Sequence, residues 1–173
     1  MRYLYFLIVC FLICSCNAKQ KVLVENENDK ITKFCPEDGV CTFEVLENKS
    51  IELLKDGIGK LYTNIIDDNN IVLKFEYIRN EIPNTVDGSY RELVYAELDP
   101  NNLTVEIENS QLKEVKLLFA RFCFCRGQTG YYNVNKGNLS ITRSGNNYQF
   151  NLEFIIDEVP QVITVVNQTF TLE

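Results

Sequence analysis

Residues 71–77 read Ile-Val-Leu-Lys-Phe-Glu-Tyr, and residues 148–156 read Tyr-Gln-Phe-Asn-Leu-Glu-Phe-Ile-Ile. In both stretches large apolar residues occupy every second position, and most positions between them are polar. A period of two residues is typical of a β-strand that buries one face and exposes the other. These two stretches therefore predict half-buried strands of an antiparallel sheet.

The same alternation recurs at 41–46, 61–66, 90–98, 103–107, 139–143 and 163–172. Turn-forming residues separate the runs, at 36–39, 67–70, 87–88, 99–102 and 144–147. The pattern predicts an all-β domain, an antiparallel sandwich or barrel of roughly eight to ten strands. Residues 110–122 fit both a helix and a strand, so we expect one short helix near 110–120 followed by a strand that runs to Cys125.

Composition excludes several classes of function. The chain has 173 residues, with Lys+Arg 17 against Asp+Glu 24 and a formal net charge of −7. An acidic chain without a basic run repels polyphosphate, so we expect no nucleic-acid partner. The absence of His removes the commonest acid–base group and a frequent metal ligand, and Trp is absent too. We assign no catalytic residue, no metal ligand and no cofactor.

The N-terminus has the layout of an export signal. Residues 1–15, MRYLYFLIVCFLICS, are mostly apolar with one early positive charge, and the apolar run is shorter than the about 20 residues that cross a bilayer. Its end, Leu12-Ile13-Cys14-Ser15-Cys16, resembles the signal of bacterial lipoproteins, in which a small residue precedes a lipidated cysteine. Cys16 fits this pattern, whereas Cys14 would place a bulky isoleucine before the cut.

The resemblance implies an acylated Cys16 that anchors the protein to a membrane without crossing it. Asn17 after that cysteine implies the outer rather than the inner membrane, with the domain facing the periplasm. The expected organisation is a signal peptide at 1–15, a lipid-attached tether at 16–33 and one β-rich domain at 34–173. Two alternatives stay open: a plain cleaved signal, and a first edge strand at 22–24.

Four further cysteines follow: Cys35, Cys41, Cys123 and Cys125. In an exported domain an even number of cysteines predicts disulfides, and four allow three connectivities. The tight turn between Cys35 and Cys41 favours that pair. Cys123 and Cys125 either join where the chain bends or reach across to the first pair. A four-sulfur zinc or copper(I) site is the alternative, and a redox switch is a third.

Residues 121–132 read Arg-Phe-Cys-Phe-Cys-Arg-Gly-Gln-Thr-Gly-Tyr-Tyr, the densest unusual stretch of the chain. A disulfide-held loop with guanidinium and phenol groups at its rim suits an anionic or sugar-like ligand. The candidate ligand-binding residues are Arg121, Arg126, Gln128, Tyr131 and Tyr132. The alternative is a structural bend, with a tyrosine in the core and Arg121 in an ion pair.

These observations favour a noncatalytic lipoprotein that presents a surface to an envelope protein or a small ligand, or that has a structural role there. The alternatives are a small enzyme that uses carboxylates or tyrosines on glycans, and a cysteine-based metal-binding protein. A deep cleft with two facing carboxylates about 5 to 10 Å apart would favour the enzyme.

Overall fold

The computed structural model describes residues 35–81 and 83–172, so the predicted signal peptide and tether lie outside the described residues. The described part forms two antiparallel sheets. The strands are β1 Gly39–Lys55, β2 Leu61–Arg79, β3 Tyr90–Leu98, β4 Val105–Glu108, β5 Leu118–Cys123, β6 Gly130–Asn133, β7 Gly137–Ser144, β8 Asn147–Phe154 and β9 Val165–Phe170. One sheet has the order β1-β2-β3-β5-β6 and the other β4-β7-β8-β9, without closure into a barrel. The prediction of an all-β antiparallel fold is confirmed as a sandwich.

The core lies between the two sheets and follows the alternation of the sequence. Leu73, Phe75 and Tyr77 of β2 point into it, as do Phe150 and Leu152 of β8, and all five are buried. Fully burying a side chain of this size stabilises the fold by about 1.5–3 kcal/mol relative to exposing it. The polar residues between them face outward. A shift of the strand pairing by one residue would bury these polar residues and expose the apolar ones, so one register is strongly preferred.

The first hairpin is longer than the sequence predicts, because the turn expected at 67–70 is wrong. These residues continue β2, and the chain turns instead at 56–60, where Asp56 accepts hydrogen bonds from the N–H groups of Ile58 and Lys60. The Ser50 hydroxyl on β1 donates to Asp68 at 2.8 Å and accepts from the Asn70 amide at 2.9 Å. Cross-strand partners of this kind satisfy polar groups that otherwise favour a turn.

The distal half of this hairpin, residues 48–70, forms an arm that folds over the outer face of its own sheet. The arm begins where the register shifts between Glu47 and Lys49, as at a β-bulge. The Ile51 N–H donates to Glu97 at 2.6 Å, and Lys116 Nζ donates to the Ile51 carbonyl at 2.9 Å. A second apolar cluster lies between the arm and the sheet, where Ile51 of the arm packs with Val72, Leu93, Tyr95, Leu118 and Ala120.

A short 3₁₀ helix, Asn109–Val115, precedes β5. It ends at Lys116, whose left-handed backbone lets the N–H of Leu117 donate to the Leu112 carbonyl at 3.1 Å. The predicted helix followed by a strand is therefore confirmed, but β5 ends at Cys123 rather than at Cys125. Within the described ranges, no helix is both long and apolar enough to span a bilayer.

Candidate functional site

One end of the five-stranded sheet carries both disulfides, and we call it the disulfide end. Cys35 bonds to Cys41 across the first turn, with the Cα atoms 5.8 Å apart. Cys123 bonds to Cys125, with the Cα atoms 5.1 Å apart, because the chain bends where β5 ends. The four thiols are thus paired locally rather than gathered into one cluster. No group of three or more potential metal-ligating side chains occurs in the described part of the chain.

A buried carboxylate lies on the inner face of this end. Glu92 is 0% exposed and accepts hydrogen bonds from the Tyr90 hydroxyl and from the backbone N–H groups of Val162 and Ile163, the latter two at 2.7 Å each. Its two oxygens therefore have protein donors and no access to solvent. The side chain joins β3 to the segment before β9, which is a structural role.

Arg121 and Gln128, two of the predicted site residues, come together beside this carboxylate. Arg121 is 7% exposed; its Nε donates to the Tyr90 hydroxyl at 3.2 Å, and its Nη1 donates to the Gln128 carbonyl at 3.2 Å and side-chain Oε1 at 3.1 Å. A bond from the Thr129 hydroxyl to the Arg121 carbonyl adds to these. Arg121 therefore fixes the loop after the second disulfide.

The alternation of β6 separates the two predicted tyrosines, so that only Tyr132 shares the inner face with Arg121. Tyr131 lies on the outer face with its ring 5.5 Å from that of Phe122, and Tyr132 packs inward with its ring 6.4 Å from that of Phe119. Arg126 is exposed on the loop. The five residues therefore do not line one pocket.

Two guanidinium groups stack on one phenol ring at the disulfide end. The Cζ of Arg79 lies 4.3 Å and that of Arg121 5.2 Å from the ring centroid of Tyr90. Burial and the hydrogen bond to Glu92 raise the pKa of Tyr90 to about 12, so the ring is neutral at physiological pH.

Arg79 also pairs with Asp38 at 3.1 Å. The hydrogen bond from Tyr77 and then the charge of Arg79 lower the pKa of Asp38.

The outer face of the disulfide end carries an exposed, largely apolar row. Val40, Ile78, Arg91 and Phe122 lie side by side in register across β1, β2, β3 and β5, and we call them the outer row. Val40 is 60% and Ile78 48% exposed. The Cζ of Arg91 lies 4.9 Å from the ring centroid of Phe122. The arm covers the other end of this face and leaves the outer row open.

Phe124 extends this apolar surface into the loop. It is the residue between the two bonded cysteines, two positions after Phe122, and it is 80% exposed. A disulfide that spans a single residue restricts the backbone on both sides of that residue. Phe124 is therefore an exposed aromatic side chain on a constrained loop.

The residues that the sequence did not single out are Val40, Ile78, Arg91, Phe122 and Phe124. A signal was present, because Ile78 directly follows the inward-facing Tyr77 and so places an apolar residue where the alternation expects a polar one. The same holds for Val40 before Cys41. A single exposed apolar residue on a strand is common and does not by itself indicate a binding surface. Such a residue becomes a candidate when other exposed apolar residues lie beside it, and here those residues belong to other strands.

Glu97, Asp99, Glu106 and Glu114 line one half-open depression, next to β4 and the 3₁₀ helix. Glu97, the other well-buried acid, accepts from the Ile51 N–H, the Asn70 amide and Lys116 Nζ, which lies 2.8 Å away. Glu106, Glu108 and Glu153 line a half-open depression on the outer face of the four-stranded sheet, among amide and hydroxyl groups.

The chain matches no protein-family model, no curated protein and no solved structure.

Proposed function

We propose that this chain is a lipid-anchored, noncatalytic binding module of the bacterial envelope, and that it binds a protein partner through the outer row and Phe124. The observation that carries the proposal is Phe124, an aromatic side chain that is 80% exposed inside a single-residue disulfide ring. Val40 and Ile78, at the other side of the outer row, are also exposed, and Arg91 and Phe122 lie between them and the loop of Phe124. The apolar side chains at this end are therefore several and lie on adjacent strands.

Constraint of the loop favours binding at this surface. Association costs free energy for every side chain and loop that it orders, and a segment already held in one conformation lowers that cost. The disulfide holds Phe124 from one side, and the bonds from Arg121 to Gln128 hold the same loop from the other. Large side chains on such surfaces supply most of the affinity of protein interfaces.

Charge indicates the chemistry of the partner. In a chain of net charge −7, four arginines belong to the disulfide end: Arg79, Arg91, Arg121 and Arg126. Arg79 pairs with Asp38 and Arg91 with Glu76 at 3.2 Å, whereas Arg126 is exposed on the loop. Arginine next to aromatic residues is characteristic of protein–protein interfaces and pairs with carboxylates. We therefore expect an extended or flat protein surface that carries both apolar and acidic side chains.

The membrane part of the proposal is supported by the sequence at Cys16 and by the export-type use of cysteine. Disulfides persist in oxidising compartments such as the periplasm, and both pairs of the domain are bonded. A tether at 16–33 would hold the domain at the membrane surface on the periplasmic side. The lipid anchor then restricts the partner to the envelope.

In-cell photo-crosslinking tests the proposal. A photoreactive phenylalanine analogue is placed at Phe124 or, as the control, at Ile58, which is 81% exposed at the turn between β1 and β2, at the opposite end of that hairpin from the disulfides. We expect one discrete crosslinked protein from position 124 that is lost when Ile78→Asp is added, and none from position 58. No product at 124, or the same products at both positions, would contradict the proposal.

A further inference from the structure

We propose that the Cys123–Cys125 disulfide is a thiol–disulfide exchange site for the cysteine thiols of another polypeptide. The inference goes beyond binding at the outer row and does not depend on it. It rests on three observations: the size of the disulfide ring, the position of Cys123 at the core and of Cys125 in the loop, and the arginine pair that stacks on Tyr90, opposite Cys123 in the sheet.

Ring size distinguishes the two disulfides of the domain. Cys123 and Cys125 are two positions apart, whereas Cys35 and Cys41 are six apart. The chain entropy that a disulfide removes from the open state grows with the length of the closed loop, so the shorter ring gains less from staying closed. Of the two, Cys123–Cys125 is the one that should open more readily.

The two sulfur atoms of this disulfide lie in different surroundings. Cys123 ends β5 and packs against the core between the sheets, whereas Cys125 lies beyond the strand and outside that cluster. Both residues are half-buried, and Cys125 is the one that lies in the loop, so we take Sγ of Cys125 as the atom that an incoming thiolate attacks. Phe124 and Arg126 flank this sulfur and are both exposed, which offers an apolar and a polar contact to a polypeptide.

Cys123 is placed to leave as a thiolate. It lies directly opposite Tyr90 in the register of β3 and β5, and Tyr90 carries the guanidinium groups of Arg79 and Arg121 at 4.3 and 5.2 Å from its ring centroid. Neighbouring positive charge stabilises a thiolate, and a stabilised thiolate leaves faster. Asp38, which pairs with Arg79, and Glu92, opposite Arg121 in the register, offset part of this charge, and the proposal is that the arginine pair adds this chemical role to its packing role.

The exchange proceeds in two steps, each an attack by a thiolate of the partner on a disulfide sulfur atom. A partner thiolate attacks Sγ of Cys125, a bond forms between the two sulfur atoms, and the bond to Sγ of Cys123 breaks with its electron pair on Cys123, which then takes up a proton. A second thiolate of the partner attacks the mixed disulfide and releases Cys125. The partner loses two electrons and two protons, and Cys123 and Cys125 become two thiols.

Stepwise reduction of the folded full-length protein with dithiothreitol as the probe tests the inference. Samples are quenched in acid and alkylated, and the cysteine peptides are quantified by mass spectrometry while circular dichroism follows the fold. We expect Cys123–Cys125 to open about tenfold or more faster than Cys35–Cys41, with the fold intact. Equal rates, the opposite order, or opening only on global unfolding would overturn the inference.

Substitution of Arg79 separates the chemical role from a structural one. Arg79→Gln should slow the opening of Cys123–Cys125 about threefold or more, and Arg79→Lys, which keeps the charge, should restore the rate. Arg143→Gln is the matched control, because Arg143 also lies over a tyrosine ring, 5.6 Å from the Tyr148 centroid, but on the other sheet. Equal slowing by Arg79→Gln and Arg143→Gln would overturn the role of the arginine pair.

Discussion

The carboxylate of Glu92 accepts a hydrogen bond from the backbone N–H of Ile163 at 2.7 Å, across the interior of the sandwich. The two residues are 71 positions apart in the chain. Because Glu92 is on the five-stranded sheet and Ile163 leads into β9 of the other sheet, this bond fixes one sheet against the other at the disulfide end. It also keeps the buried charge fully hydrogen-bonded.

Glu92→Gln should destabilise the domain by about 2 kcal/mol. The amide NH₂ of glutamine is a hydrogen-bond donor, and it would replace a carboxylate oxygen that now accepts a hydrogen bond from a backbone N–H group. Urea unfolding followed by circular dichroism measures the loss. Glu153→Gln, at an exposed position of β8, is the control and should stay within about 0.5 kcal/mol of the wild type. A loss from Glu92→Gln no larger than that of the control would show that the buried bonds add little.

Gly137→Ala should destabilise the domain by about 3 kcal/mol, because the position has a left-handed backbone with φ +146° and no room for a side chain. A Cβ there would lie 2.2 Å from the carbonyl oxygen of Glu153. Gly57→Ala is the matched control, since no atom lies within 4 Å of a Cβ built at that position. Thermal unfolding of the two variants checks the difference, and equal stability would contradict the close approach of β7 and β8.

Stability should fall in alkali as buried tyrosines ionise. Burial is the main cause that raises the pKa of Tyr90 and of Tyr95 to about 12 each, from an ordinary value of 10.0. The unfolded chain ionises first, so stability is intact below pH 10 and is lost as the pH rises toward 12. Tyr95→Phe should reduce this loss and Tyr62→Phe, at a 43% exposed position, should not. The loss of stability is measured as the fall of the urea unfolding midpoint between about pH 9 and about pH 11. An unchanged midpoint would contradict the burial of these rings.

Cys16→Ala should abolish metabolic labelling by a fatty acid and release the protein from the membrane fraction. Cys14→Ala, two residues earlier in the same apolar run, is the matched control and should keep both properties. Continued membrane attachment of the Cys16→Ala protein would show that something other than a lipid on this cysteine holds it there.

Most of the fold follows from the sequence, because a period of two is visible wherever one face of a strand is buried. It marks Phe75 and Tyr77 on β2 and Phe150 on β8 as core residues, and the structure buries all three. The pattern fails at residues 67–70, since the partners that keep Asp68 and Asn70 in a strand are contributed by Ser50 of another strand. A hydrogen bond between strands leaves no trace in the local sequence.

The site was harder to predict for the same reason. The stretch 121–132 draws attention to Arg121 and Gln128, which the structure joins, but the alternation of β6 separates Tyr131 from Tyr132. The outer row depends on register across four strands, which a single sequence does not contain. The pairing of Cys35 with Cys41 could be predicted from the sequence, because a short turn alone brings the two residues together.

The affinity of the crosslinked partner for purified variants tests the central claim most directly. Isothermal titration with Phe124→Ala should show binding about 30-fold weaker than the wild type, as expected when an aromatic residue that dominates an interface is truncated. Ile58→Ala, at an 81% exposed position in the turn between β1 and β2, should bind within about twofold of the wild type. Equal affinity of Phe124→Ala and the wild type would contradict the claim that this protein binds through the disulfide end.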